Sequence, residues 1–230
     1  MSQVIIAGAT GAVGSALVSI LAADARCESA VALVRRPVDL GVDTVVIDFN
    51  AMADHAEAFE GRDIALCCLG TTIAAVGGDK AAFRRVDHDY PLEFFRLAIA
   101  AGVKQLSIVT ATGASAGSMS FYSRTKGEVE NSARKLASEN GARLTILHPA
   151  MLLTPDGQRD GSVLGGKNKR TGERLAQRAL QSAGWMLGPL QDQVAVKVET
   201  VAAAMWRDAL AGGEGVTVLS NRQIIALGKG

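Results

Sequence analysis

The chain has 230 residues, a formal net charge of +1 and 48% hydrophobic residues. That apolar content supports a sizeable core and excludes a disordered chain. The near-neutral balance argues against a general nucleic-acid or acidic-surface binder. The opening MSQVII lacks the basic and long apolar regions of a secretory signal, and no apolar run is long enough for a membrane span. Cys27, Cys67 and Cys68 show no metal-ligand spacing, and His55, His88 and His148 are scattered, so no metal site is expected. A reducing, cytoplasmic setting is the expectation.

The first strand, Gln3–Ala7, runs into Gly8, Gly11 and Gly14 and then an apolar helix, Ala12–Ala23. Glycine is entropically costly inside either element, so three at one junction point to something approaching the backbone. Gly8 suits a tight turn, Gly11 the approach of a pyrophosphate to the helix amides, and Gly14 close helix packing. The spacing is GxxGxxG, not GxGxxG, and by itself also fits a plain strand–helix turn. Its place in the first βα unit favours dinucleotide binding.

The second strand, Ala30–Val34, ends at Arg35 and Arg36, where NAD sites usually carry a carboxylate. Guanidinium groups suit a 2′-phosphate, which predicts NADP(H). The alternative is a pair of arginines that only solvate a turn; Asp39 is a weaker NAD-type candidate. After the third strand, Thr44–Ile47, Asp48 and Phe49 stand where adenine would lie, although an ordinary turn explains them nearly as well. The fourth strand, Ile64–Cys68, reads as buried, with its two cysteines as small hydrophobes.

A helix over Asp79–Ala101, a fifth strand over Gln105–Val109, a helix over Phe121–Asn140 and a sixth strand over Arg143–Leu147 continue the alternation. This rhythm predicts an α/β fold, a Rossmann-type doubly wound parallel sheet. Beyond Pro149 come a polar glycine-rich loop over 154–172, a helix over Glu173–Ala183, a short strand and helix over 194–212, and a last strand over 216–220. No linker is visible. One domain is expected over 1–230, with 150–230 forming a small substrate-side region over the carboxyl edge of the sheet. Lys167, Lys169, Arg170 and Arg174 are read as a solvated face or an anion-attracting loop, and Trp185 and Trp206 as core or interface residues.

The segment FYSRTKGEVE places Tyr122 and Lys126 four residues apart, on one helix face. An ammonium beside a phenol favours the phenolate, so Tyr122 can exchange a proton with a carbonyl oxygen. A hydroxyl to polarise that carbonyl is expected where the fifth strand ends. Thr110 is the first candidate, then Thr112, then Ser115.

Together these residues resemble the short-chain dehydrogenase/reductase superfamily, in its atypical or extended branch. Across residues 66–130, and also at HPAMLL and RTGERLAQR, the chain is similar to the small Tat-interacting-protein-like NADPH-binding oxidoreductases. The resemblance implies that Gly8, Thr10, Gly11, Ala12, Val13, Gly14, Arg35 and Arg36 bind NADP. It implies that Leu69, Gly70, Thr71 and Thr72 lie beside the ribose and nicotinamide, and that Pro149, Ala150 and Met151 border the nicotinamide. Tyr122 and Lys126 take the catalytic positions, with Lys126 also on the ribose. Two departures stand out: Thr110 where serine is common, and Asp87 where extended members often have asparagine. The expected function is NADPH-dependent reduction of a small carbonyl substrate. The alternatives are a redox-sensing NADPH-binding regulator with a protein partner, and an epimerase or dehydratase of nucleotide sugars.

Overall fold

A computed structural model describes residues 1–154 and 195–229. The apolar runs form β1 (Ser2–Ala7), β2 (Cys27–Val34), β3 (Asp43–Val46), β4 (Ile64–Cys67), β5 (Gln105–Val109) and β6 (Arg143–His148). Two short strands, β7 (Met151–Leu153) and β8 (Ala195–Lys197), pair with each other, and β9 (Val216–Ser220) follows later. The main sheet is parallel throughout, in the order β3-β2-β1-β4-β5-β6-β9. This is a Rossmann-type sheet.

Helices cover both faces, which is why the strands read as continuous apolar runs. On one face lie α1 (Ala12–Ala23) and two late helices. Val4, Ile6 and Leu66 turn to this side and pack with Leu17, Trp206 and Ile224. On the other face, Ile5, Ala65 and Cys67 pack with Phe94, Phe95, Val129 and Ala133. Burial pushes the Cys67 thiol up to about 12, so it acts as packing volume and not as a nucleophile.

The single helix expected over Asp79–Ala101 is instead three pieces: α2 (Lys80–Arg84), a π-helical turn (Arg85–Asp89) and α3 (Tyr90–Ala100). Asp79 caps α2 by accepting from the amides of Ala81 and Ala82. Pro91 supplies the reason for the wide turn. In a continuous α-helix its ring would clash with the carbonyl of Asp87, and its missing N–H would leave that carbonyl without a partner. Next comes α4 (Phe121–Glu139), whose N-cap Ser120 accepts from the amide of Ser123.

The C-terminal segment gives the expected strand–helix unit as β8 and α5 (Val198–Ala211), followed by the expected last strand as β9. The described part adds a seventh strand beside β6 and packs α5 and α6 (Asn221–Lys229) on the α1 face. The loop beyond Thr154, the helix expected over Glu173–Ala183, Lys167, Lys169, Arg170, Arg174 and Trp185 lie outside the described residues.

A polar clasp joins α1 to α5. The indole N–H of Trp206 donates to Asp24 at 2.8 Å, and Arg26 lies 2.6 Å from the same oxygen. Hydrogen bonds from the Arg26 side chain and amide, then from Trp206, hold the Asp24 carboxyl well below the usual carboxylate range. A depressed pKa stabilises the fold above the unfolded value and loses that contribution as pH falls through the folded one. Asp24→Asn is therefore expected to be less stable than the wild type near neutrality, with the gap closing under strong acid. Urea melts across a pH series check this.

Candidate functional site

The sheet order reverses at β1, which sends one neighbour toward β2 and the other toward β4. In such sheets the crevice beyond the carboxyl ends of the strands, at that reversal, is the ligand site. Gly8 leaves β1 there with φ +86°, and a Cβ on it would lie 2.5 Å from the carbonyl carbon of Cys68. A Cβ on Gly14 would fall 2.1 Å from the Gly8 oxygen. Gly11 has ordinary backbone angles and would be tight only against that oxygen, at 3.3 Å. It precedes α1 as an N-cap with no side-chain cap, and the first turn of α1 carries no acidic residue. A bare helix N-terminus beside a glycine cradle fits a pyrophosphate by hydrogen bonding and by dipole. Thr10 is exposed beside it, Ala12 is half-buried, and Val13 is buried in the core.

Arg35 and Arg36 follow β2 at the same edge. Both are exposed, and among the described residues neither has a hydrogen-bond or ion-pair partner. They are cations without a carboxylate, as a phosphate subsite requires. The next pair sits in the ordinary turn that the sequence offered as the alternative. Asp48 is committed to its own turn, accepting from the amide and side chain of Asn50 at 2.9 and 2.8 Å. Phe49 is buried, with its ring 5.6 Å from that of Tyr90. Both Asn50 bonds fall on Oδ1 of Asp48, which leaves Oδ2 as an acceptor.

A buried ion pair joins α4 to the π-helical turn. Lys126 Nζ lies 2.7 Å from Asp87 Oδ1, with side chains 6% and 0% exposed. The other Asp87 oxygen accepts the amide of Thr71 at 2.8 Å. The π turn carries Asp87 into this position. Gly70 passes directly over the pair: a Cβ there would be 3.5 Å from Nζ and 3.7 Å from Oδ1. Burial works against the ammonium. The Asp87 carboxylate, with a smaller contribution from Tyr122, more than offsets this and raises the Lys126 pKa above its ordinary value. Lys126 is therefore half of an ion pair with Asp87 as well as an ammonium near Tyr122. Leu69 packs on the α3–α4 core, and Thr72 accepts the amide of Ala75. Tyr122 is half-buried against Phe83, at 5.7 Å between rings, and its hydroxyl has no hydrogen-bond partner among the described residues.

The hydroxyl candidates separate clearly. Thr110 is buried and donates its only proton to Glu130 at 2.6 Å. A carboxylate can only accept, so in this arrangement Thr110 uses its proton within the protein, with the Leu147 carbonyl a second acceptor at 3.3 Å. Thr112 is exposed and donates to the carbonyl of His148 at 3.0 Å. Ser115 is exposed on the loop packed against α4 at Gly127, where a Cβ would fall 2.2 Å from the Ser115 carbonyl carbon. The segment after β6 is pinned as well. Pro149 accepts the amide of Thr112, and the amide of Ala150 donates to Asn221. Met151 opens β7 with its side chain partly exposed. The roles of Asn221 and Glu130 carry no local sequence signal, because each depends on a partner 18 or more residues away.

Residues 8–182 match the NAD(P)H-binding family. This chain belongs to that family. It is 33% identical to Protein HTATIP2 of Rattus norvegicus over 99% of this chain and 89% of that protein. It is 29% identical to Protein fmp52-1, mitochondrial, of Aspergillus terreus over the full length of both. Two solved structures share the fold of this NAD(P)H-binding chain. MoeE5 in complex with UDP-glucose and NAD has a TM-score of 0.70 at 18% identity, covering 95% of this chain and 75% of that one. A short-chain dehydrogenase/reductase superfamily protein from Agrobacterium tumefaciens with bound NAD has 0.67 at 15%, covering 95% and 76%.

The glycines should respond differently to a single methyl group. Gly8→Ala is expected to lower the melting temperature sharply, since it combines a left-handed φ with a backbone collision. Gly11→Ala should keep a near-normal melt but bind NADPH at least about tenfold more weakly, a loss of about 1.4 kcal/mol. Thermal melts paired with nucleotide fluorescence titrations check both.

Proposed function

We propose that this chain is an NADPH-dependent reductase of a small carbonyl compound. The observation that carries this reading is Tyr122, whose hydroxyl has no hydrogen-bond partner among the described residues, one helical turn from a lysine locked under the loop after β4. NADPH supplies the hydride when bound. Tyr122 gives its phenolic proton to the carbonyl oxygen. Lys126, fixed by Asp87, presents its remaining N–H groups to the ribose. Thr110 and Thr112 both donate their hydroxyl protons within the protein, so the exposed hydroxyl of Ser115 orients the carbonyl. Arg35 and Arg36 hold the 2′-phosphate and select NADPH over NADH.

One feature favours a second reading. A lysine already neutralised by Asp87 polarises a phenol less than a free one, which suits nucleotide binding without turnover. NADPH oxidation across a broad panel of aldehydes and ketones separates the two: steady turnover supports the reductase, while tight binding without turnover supports an occupancy sensor. The nucleotide-sugar alternative draws on likeness of fold alone. As for location, three unpaired thiols suit a reducing compartment. The Aspergillus relative's mitochondrial name extends that choice beyond the cytoplasm. Among the described residues no helix is long and apolar enough to cross a membrane.

Tyr122→Phe keeps the ring and removes the transferable proton. It is expected to retain NADPH affinity and lower turnover by at least about a hundredfold. Steady-state kinetics on any substrate from the panel measure this, and near-normal turnover would remove Tyr122 from the chemistry.

Replacing Arg35 and Arg36 together by Ala is expected to weaken NADPH far more than NADH, by about 1.5–3 kcal/mol for each charge-assisted bond lost. Added salt should erode the wild-type preference, because both side chains are exposed. Equal weakening of the two cofactors in side-by-side titrations would reject these arginines as the selector.

A further inference from the structure

The same face of α4 carries a third residue beyond Tyr122 and Lys126. Glu130 lies four residues past Lys126, with its side chain 7% exposed. Its Oε1 accepts from two donors on different strands: the Thr110 hydroxyl at 2.6 Å, where β5 ends, and His148 Nε2 at 2.8 Å, where β6 ends. Arg134 stands 3.9 Å from its other oxygen, one turn further along.

What Glu130 ties together is the backbone beyond the β5–β6 ladder. There the two exits stay zipped by three bonds, and the Thr110 hydroxyl also lies 3.3 Å from the Leu147 carbonyl. The amide of Thr110 donates to Leu147 at 2.9 Å, the amide of Thr112 to Pro149 at 3.0 Å, and the Thr112 hydroxyl to His148 at 3.0 Å. The zipped pair carries Thr112 on one side and Pro149–Met151 on the other. An anchor on the side chains of Thr110 and His148 fixes the height and twist of both exits relative to the Tyr122–Lys126 stripe. A buried carboxylate taking two donors on one oxygen makes a short, directional link.

We infer that Glu130 is a positioning residue for the nicotinamide half of the nucleotide site, acting through Thr110 and His148 on the two strand exits. The inference rests on the NADPH reading above. It assigns the link to the nicotinamide end alone, because no residue of the glycine turn and neither Arg35 nor Arg36 bonds to Glu130, Thr110 or His148 among the described residues.

The test compares the two halves of the cofactor. NADPH reports the nicotinamide end through the enhancement and anisotropy of its own fluorescence. Adenosine 2′,5′-bisphosphate, which lacks the nicotinamide, reports the other end by competition. Glu130→Ala is expected to bind adenosine 2′,5′-bisphosphate within about twofold of the wild type, yet to lose about tenfold or more in NADPH affinity and most of the fluorescence enhancement. Glu130→Gln keeps a carbonyl oxygen that accepts both donors and should restore both signals. Thr110→Val removes one donor at nearly constant volume and should show a smaller loss in the same direction. It carries the comparison if Glu130→Ala does not fold. Wild-type nicotinamide signals in both Glu130→Ala and Thr110→Val would overturn the inference. Equal losses of NADPH and adenosine 2′,5′-bisphosphate with a depressed melt would overturn it too, by reducing Glu130 to a general fold contact. A wild type that binds neither ligand fails at the earlier step and removes the NADPH reading itself.

Discussion

Backbone packed on backbone at the end of β1 is the constraint on which this site depends. Gly8 touches the peptide of Cys68 and Leu69, and Gly14 touches the peptide of Gly8. No side chain fits into either contact. The first α-helix, the first strand and the start of the loop after β4 are therefore locked at distances that only glycine allows. This lock aims the N-terminus of α1 at the crevice. It also places Gly70 and Thr71 close enough to lie over the Lys126–Asp87 pair. A larger residue at Gly8 or Gly14 would move the turn before it met any ligand.

Local pattern carried most of the architecture. Strands buried on both faces are continuous apolar runs, and the glycine turn is contiguous in sequence, so β1 to β6 and the place of the crevice are legible in one dimension. The break in the 79–101 helix was legible in principle, since Pro91 cannot follow an unbroken α-turn at Asp87. The apolar periodicity on either side hid it. The late α6 was hidden by its length: nine residues, helical because Ile224 and Ile225 pack on the α1 layer. The state of each candidate side chain was not legible at all. Thr110 and Thr112 look alike in the sequence, but only one faces a buried carboxylate. Lys126 reads as a free cation until the fold brings Asp87 to it from 39 positions away.

The departure at Asp87 changes the electrostatics of the site more than its shape. An ammonium beside an amide would stay a net positive charge in a low-dielectric environment. Paired with a carboxylate at 2.7 Å, it becomes a local dipole whose field falls off faster with distance. Arg35 and Arg36 are exposed cations at this edge with no partner among the described residues, so their field is not cancelled in the same way.

Residues 122, 126 and 130 also have a geometric consequence. Four residues advance an α-helix by slightly more than one turn, so each step of this series drifts by about 40° around the axis. From Tyr122 to Glu130 the stripe has swept about 80° while descending roughly 12 Å. One helix thus works like a slow screw thread. Its first rung packs on Phe83 with no hydrogen-bond partner among the described residues, its second meets Asp87 under the loop after β4, and its third reaches the ends of β5 and β6. A series spaced at alternating three and four residues would have kept one heading and could not have reached all three.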